Sequence, residues 1–410
     1  MINMFSPLVG SDRVLDANGQ PIQFRKGQGY RIEDSNGNQY LDFVLGIGPV
    51  ILGHSHPEFN KRLTDALSLG LSFPGFGEVH SQVSDIFEEI YSGYKVVSLF
   101  KTSSEAVTAS FRCAMMQTER KKILRCGFLG WHDAQLYMSP SWHEILGSDK
   151  RNDLRYLNGM RGVSGEEAVF NWVNGDLSEL ESLLQEHGNE IAIFALDVYQ
   201  LAFFSEEKIK AAVAMCKTYG VKLLLDETKT AGRTNPGGYL ANNTSFDPDY
   251  VVLGKAIGNG LPLAILMGKP DILSVYREAR IGGTHTKEIL SPHAAIAVAE
   301  IMGNCDGYNV VSQAGKAIVM TLNLAFKEAG ADKYVNAKSL FDNALFDLVC
   351  SQEIVNNYTL RSRLKTELLK NGLLIMEGHN SFVSLAHSDL NHDELFGLTY
   401  SAAKSWVEAM

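Results

Sequence analysis

Through the middle of the chain, short unbroken apolar runs alternate with stretches whose apolar residues recur every three or four positions. Ile191 to Leu196 (IAIFAL), Val221 to Leu225 (VKLLL), Tyr250 to Leu253 (YVVL) and Ala264 to Met267 (AILM) are each bounded by polar, glycine or proline residues. Runs of that length and setting predict buried strands. Between the first two lies EEKIKAAVAMCKTYG, in which Ile209, Ala212, Val213 and Cys216 share one helical face and Gly220 marks the stop. Strand, helix, strand in this order predicts an α/β fold with a mostly parallel central sheet.

The ends of the chain read differently. Tyr30 to Phe43 (YRIEDSNGNQYLDF) carries Asn-Gly inside an alternating pattern, a hairpin signal. Beyond residue 300 helical patterns dominate, with a late strand expected over Phe382 to Leu385. At 410 residues the chain exceeds the size at which one core keeps growing. The expected division is a large domain over 61–300 and a smaller α+β domain from both termini, 1–60 and 301–410.

Composition narrows the partners. The net charge of −10 argues against nucleic acid or an anionic membrane surface as a standing partner. It leaves room for a phosphorylated ligand, which backbone amides can hold locally. Five scattered cysteines with no C-x-x-C pair predict reduced thiols, and so a cytoplasmic protein, over a disulfide framework or zinc site. No apolar segment approaches the length of a membrane span, and no basic-then-apolar leader opens the chain.

Chemistry concentrates where the predicted strands end. LLLDETKTAGR (Leu223 to Arg233) places Asp226 at the carboxyl end of a strand, the side of a parallel sheet where ligands bind. Asp226 is either an ordinary strand cap or a carboxylate aimed at a cation in the crevice. Lys255 follows YVVLG directly, so it too leaves a buried strand at its carboxyl end. It is either a solvated cation or a partly desolvated amine suited to Schiff-base chemistry. Ser103-Ser104-Glu105 opens the helical stretch AVTASFRCAMM, as a simple cap or as a phosphate cradle of amides and hydroxyls. Gly130-Trp131-His132-Asp133 offers a flat ring with polar neighbours, and Trp131 is equally a packing residue. His54-Ser55-His56 has no third ligand at a convincing spacing, so structural histidines and no metal site are expected.

Together these stretches resemble the class III aminotransferases of pyridoxal 5′-phosphate (PLP) fold type I, most closely their glutamate-1-semialdehyde 2,1-aminomutase branch. GYRIEDSNGNQYLDFVLGIGPVILGHSHPEF is similar to the family's opening block, and GLSF (Gly70 to Phe73) to the aminomutase branch. LLLDETKTAGR resembles the family's D-E-V-x-T-G-F-R, and LGKAIGNGLPLAILMG its lysine loop. The blocks occur in the family's order over nearly the whole chain. The resemblance implies a PLP-dependent transfer of an amino group from a small-molecule donor to a ketone or aldehyde acceptor. An intramolecular aminomutase reaction is the alternative, and a non-catalytic PLP-binding scaffold a third reading.

The resemblance also implies roles. Lys255 would carry PLP as a Schiff base and shuttle protons, and Asp226 would pair with the pyridine nitrogen. Trp131 would stack on the ring, and Ser103 and Ser104 would hold the phosphate. Thr284 would reach the phosphate of a neighbouring subunit, which implies a homodimer with shared active sites. Some positions depart from the family pattern. The family's S-G-T-E-A is Thr102-Ser103-Ser104-Glu105-Ala106, its E-P dipeptide is Asp197-Val198, and its valine after D-E is Thr228. The aminomutase S-P-V-R block is Ser6-Pro7-Leu8-Val9, without the arginine, and His379 stands where that branch has a glutamate before Phe382-Val383-Ser384. These two changes point to a different substrate, with Arg25 (or Arg13) and His379 as candidate substrate residues.

Overall fold

The computed structural model describes residues 14–16, 20–132, 169–172, 175–375 and 379–410. Asp133, Arg13 and the Ser6-Pro7-Leu8-Val9 block lie outside them. The chain divides into two compact units, one of residues 49–51 and 57–308, the other of 1–48, 52–56 and 309–410.

In chain order the strands are β1 (Phe24–Gln28), β2 (Arg31–Asp34), β3 (Gln39–Asp42), β4 (Lys95–Phe100), β5 (Lys122–Cys126), β6 (Val169–Asn171) and β7 (Ile191–Asp197). They continue as β8 (Lys222–Asp226), β9 (Tyr250–Leu253), β10 (Ala264–Gly268), β11 (Val335–Leu340), β12 (Leu345–Cys350), β13 (Leu373–Leu374) and β14 (Ser381–Phe382). The larger unit is built on a seven-stranded sheet in the order β4-β10-β9-β8-β7-β5-β6. β9, β8, β7, β5 and β6 pair in parallel, whereas β10 runs antiparallel to both of its neighbours. The cause is local. Only the short segment 254–263 separates β9 from β10, too little for the crossover a parallel return requires.

The four apolar runs of the sequence are β7, β8, β9 and β10, and all seven residues of β7 are buried. Strands covered on both faces read as continuous apolar runs for this reason. Each buried Leu, Ile or Val of these strands contributes about 1.5–3 kcal/mol relative to an exposed one. The helix Glu206–Thr218 is capped by Ser205 and buries Ile209, Ala212, Val213 and Cys216, the face the spacing predicts. Gly220 follows it at φ +68°, a conformation that costs glycine little.

The order of the sheet decides where its chemistry gathers. β4 runs in the same sense as β9, since each is antiparallel to β10. The carboxyl ends of β4, β5, β7, β8 and β9 therefore lie along one edge. The segments leaving that edge carry Ser103, Trp131, Asp197, Asp226 and Lys255 respectively.

The smaller unit is α+β. Its hairpin β2–β3 turns at the predicted Asn-Gly: Gly37 sits at φ +90°, and Asp34 Oδ1 accepts from the amides of Asn36 and Asn38 at 2.9 Å. Beyond residue 300 the helices Gly307–Glu328, Tyr358–Lys370 and His392–Val407 dominate, but an antiparallel pair, β11–β12, also lies there. Its strands are interrupted by Asn336, Lys338 and Asp347, which masks them in a search for apolar runs. The late strand is shorter than Phe382 to Leu385. β14 covers Ser381–Phe382 only, because Ser384 and the His387 ring cap a 3-10 turn from Leu385. Among the described residues no helix is long and apolar enough to cross a membrane.

Candidate active site

The first element of the site is a helix start. Thr102 caps Ser103–Thr118: its hydroxyl accepts from the Glu105 amide, and Glu105 Oε2 accepts in return from the Thr102 amide at 2.9 Å. Ser103 and Ser104 thus occupy the first turn, where backbone N–H groups have no carbonyl partner within the helix. Ser104 Oγ also accepts from the Trp131 amide at 3.4 Å, which ties the loop after β5 to the same turn. The Trp131 ring is 66% exposed and meets the His132 ring edge-on, and His132 Nδ1 lies 2.8 Å from Thr108 Oγ1.

The lysine loop presses against this helix start. Gly254 is extended, and a Cβ there would collide with Ser103 Oγ and lie 3.3 Å from Thr228 Cγ2. A side chain at this position would push the Ser103 hydroxyl aside, so glycine lets that hydroxyl stay against the strand end. Lys255 follows at φ +49°, a left-handed conformation that costs a non-glycine residue roughly 1–3 kcal/mol. Such strain is retained where the surroundings fix a side chain in one place.

One strand over, Asp226 is buried at the end of β8, paired in register with Asp197 at the end of β7. The Thr228 amide donates to Asp226 Oδ1 at 2.9 Å, and the Thr228 hydroxyl donates to the same oxygen. The family's valine position is therefore occupied here by a residue that holds the carboxylate. Burial raises Asp226 to about 6, with the nearby Asp197 charge adding to it, and raises the neighbouring Glu227 to about 7. Glu227 points away, accepting from Thr230 and from the amides of Tyr239 and Leu240. Burial, reinforced by Lys229 and Arg233, brings the Lys255 amine down to about 7.

That shift has a consequence for stability. In the cofactor-free chain, between pH 7 and the ordinary lysine value of 10.5, unfolded Lys255 holds a proton that the folded residue does not. Stability should therefore rise with pH through this window. Lys255→Met should flatten the rise and stabilise the cofactor-free chain at pH 7 by a few kcal/mol, to order of magnitude. Urea unfolding midpoints from pH 7 to 9.5 measure this. An unchanged slope in the variant would mean that the amine is not depressed.

Ser103, Ser104, Trp131, Asp226 and Lys255 thus converge on one edge of one sheet. Thr284 lines a cavity of about 440 Å³ with Glu105, Thr108, Arg112, His132 and Arg280, and none of the five residues on that edge lines it. The two candidate substrate residues belong to the smaller unit. Arg25 is exposed, and its guanidinium donates to Glu33 at 2.7 Å. His379 Nδ1 lies 2.8 Å from the Asn380 carbonyl, with its ring against Phe382. His54 Nε2 lies 2.7 Å from Asp42 Oδ2, a structural contact in that unit. Among the described residues, no group of three or more potential ligands is placed to hold a metal.

Sequence reasoning missed two residues of this edge. Lys229, three residues past Asp226, forms a buried ion pair with Asp197. Gln200, in the 3-10 turn after β7, has a buried Nε2 with no hydrogen-bond partner among the described residues. An unmatched buried donor, a buried carboxylate, a depressed lysine and a helix start suit a planar phosphorylated aldehyde with a ring nitrogen and a hydroxyl on the ring. The residues present therefore fit PLP.

Known proteins agree with this architecture. A glutamate-1-semialdehyde 2,1-aminomutase of Roseiflexus castenholzii is 26% identical over 94% of this chain and 91% of its own. A 2′-deamino-2′-hydroxyneamine transaminase of Streptomyces kanamyceticus is likewise 26% identical, over 92% of this chain and 88% of its own. Among solved structures, an omega-transaminase from Sphaerobacter thermophilus superposes with a TM-score of 0.80 at 19% identity, over 95% of this chain and 93% of its own. The aminotransferase class-III model matches residues 14–397, so the chain belongs to the class III aminotransferases, a family of PLP-dependent enzymes.

Proposed function

We propose that this enzyme moves an amino group from a donor amine to a ketone or aldehyde acceptor, with Lys255 as the residue that anchors PLP. The observation that carries the reading is the pairing of a depressed lysine with a buried carboxylate at the ends of neighbouring strands, β9 and β8. Bound PLP supplies an electron sink for the bonding pair released at the substrate Cα. Lys255, once released, would take the proton from the substrate Cα and deliver it to the aldehyde carbon of the cofactor, the shift that leaves the amino nitrogen with the cofactor. A lysine that titrates near neutrality suits the task, because both of its protonation states are populated at working pH.

Asp226 keeps a proton on the pyridine nitrogen. The first-turn amides and hydroxyls of Ser103 and Ser104 receive the phosphate. The Trp131 ring would supply the flat surface on which the cofactor ring stacks.

We assign the active form as a homodimer in which Thr284 serves the phosphate site of the neighbouring subunit. An exposed apolar stretch in the larger unit supports this: Leu67, Leu69, Leu71, Phe73 and Phe76 are each more than 40% exposed. Such a patch on one chain favours burial against a second copy. Three buried thiols, Cys113, Cys126 and Cys216, are in keeping with a reducing cytoplasm.

A second reading, intramolecular amino transfer within one 1,2-amino-carbonyl compound, is favoured by several relatives that are glutamate-1-semialdehyde 2,1-aminomutases. The two separate in one experiment. PLP-loaded protein is mixed with a panel of amines and amino acids while the cofactor spectrum is followed. Amino transfer predicts that one donor class bleaches the long-wavelength band and that a carbonyl acceptor restores it. Turnover of a single compound with no donor would support the aminomutase, and no response to any amine would overturn both.

A further inference from the structure

Beyond Asp226 and Lys255, the same edge of the sheet holds an ion pair that the proposed reaction has not used. Asp197, at the end of β7, is 2% exposed, and Lys229, in the turn after β8, is 8% exposed. Lys229 Nζ lies 2.5 Å from Asp197 Oδ2. The ammonium is also 5.1 Å from the centroid of the Tyr199 ring and 6.0 Å from that of Phe128, so rings flank it where water would otherwise be. A buried pair of this kind returns little net stability, since removing two charges from water costs about what their attraction gives back. Its place next to the reacting residues suggests another use.

Two lysines and two carboxylates stand at the ends of the neighbouring strands β7, β8 and β9 or in the turns that follow them, and their charges act on one another. The charged groups facing Lys255 are Lys229 and Arg233, from the turn after β8, and Asp197 and Asp226, from the ends of β7 and β8. Asp226 in turn feels Asp197 and Lys229 and accepts from Thr228. Asp197 and Lys229 are the two members that no role in amino transfer claims, and in low dielectric the Asp197 carboxylate needs a cation.

We infer that Lys229 is a positioning residue: it captures Asp197, and so keeps that carboxylate from pairing with Lys255 and leaves Lys255 and Asp226 to the cofactor. The inference rests on the reading of Lys255 and Asp226 given above. Lys229 itself touches no reacting atom in this role and acts through Asp197 alone. Without it the Asp197 carboxylate would turn to Lys255, the lysine would stay an ammonium, and cofactor capture would move to higher pH.

The test titrates Lys255 directly in the full-length, cofactor-free chain. Lysines are reductively methylated with 13C-formaldehyde, and the Lys255 signal is assigned by its loss in Lys255→Arg. Lys229→Gln is expected to raise the titration midpoint of Lys255 by about one pH unit or more, the usual size of a nearby-charge effect. Asp197→Asn is expected to lower it, and the double variant to fall between the two. A purely structural pair would weaken folding in every variant without moving the midpoint in opposite directions.

A midpoint that does not rise in Lys229→Gln overturns the inference. Should that variant fail to fold by circular dichroism, Asp197→Asn decides alone: a lowered midpoint supports the role, and an unchanged one overturns it. Uptake of PLP by the parental chain, followed by absorbance, separates the two levels. No uptake overturns the reading of the site and this inference with it, whereas normal uptake with immobile midpoints overturns the role of Lys229 only.

Discussion

Lys255→Ala is expected to reduce amino transfer by about 10²- to 10⁴-fold from lost proton transfer alone, and to abolish covalent attachment of the cofactor. The argument starts from the backbone. Lys255 is held at φ +49° at the start of a 3-10 turn, after Gly254, where a Cβ would meet the Ser103 hydroxyl, and before Asn259 in the same left-handed region. No other lysine could be delivered to that point without remaking the strand end. Lys229 is the nearest alternative, but its amine is engaged with Asp197. Borohydride reduction of the PLP-loaded parental protein, followed by peptide mapping, should place the label on Lys255. A label retained in Lys255→Ala would sink the assignment. Partial recovery of rate by a small added amine would show that the variant lost a proton carrier and kept its fold.

Much of the fold was legible in the sequence because burial on both faces leaves a plain signature. β7, β8, β9 and β10 each hold an unbroken apolar run, and the Asn-Gly of the β2–β3 turn has few other uses. The β11–β12 hairpin was not legible. Strands of this smaller sheet place residues such as Asn336 and Lys338 outward, so no apolar run forms. The antiparallel sense of β10 follows from a connection length, which apolar patterning alone does not report.

The site divides along the same line. Asp226 and Lys255 announce themselves because each directly follows an apolar strand. Lys229 and Gln200 stand in turns, where a lysine or glutamine usually faces solvent, and only the fold reveals that both are buried. Arg25 shows what a sequence leaves out. Its guanidinium pairs with Glu33 across β1 and β2. A charge in a sequence does not declare its partner.

Asp226→Asn should separate catalysis from stability. The carboxylate is buried, and burial together with Asp197 raises it to about 6 from the ordinary 3.8. Below pH 3.8 both folded and unfolded forms are protonated, and between 3.8 and 6 the folded form alone keeps its proton. Folding stability therefore falls as pH rises through that window, and at pH 8 the ionised group costs the empty site about 3 kcal/mol, to order of magnitude. Asparagine removes the charge and keeps an oxygen able to accept from the Thr228 amide. The cofactor-free variant should then unfold at a higher temperature than the parent at pH 8, and at a similar one near pH 4.

With PLP bound the balance reverses. The cost of burying a carboxylate is offset only by a cation, and a protonated pyridine nitrogen is the cation this site is proposed to receive. Removing one partner of such a pair costs about 3–5 kcal/mol, which corresponds to a loss of roughly 10²- to 10⁴-fold in kcat/KM. Asp226→Glu, which keeps the charge but lengthens the arm, should lose less. If Asp226→Asn lowered stability and activity together, the carboxylate would be a strand cap. A more stable cofactor-free protein that turns over hundreds of times more slowly is the result that only a charge held in readiness for the cofactor would produce.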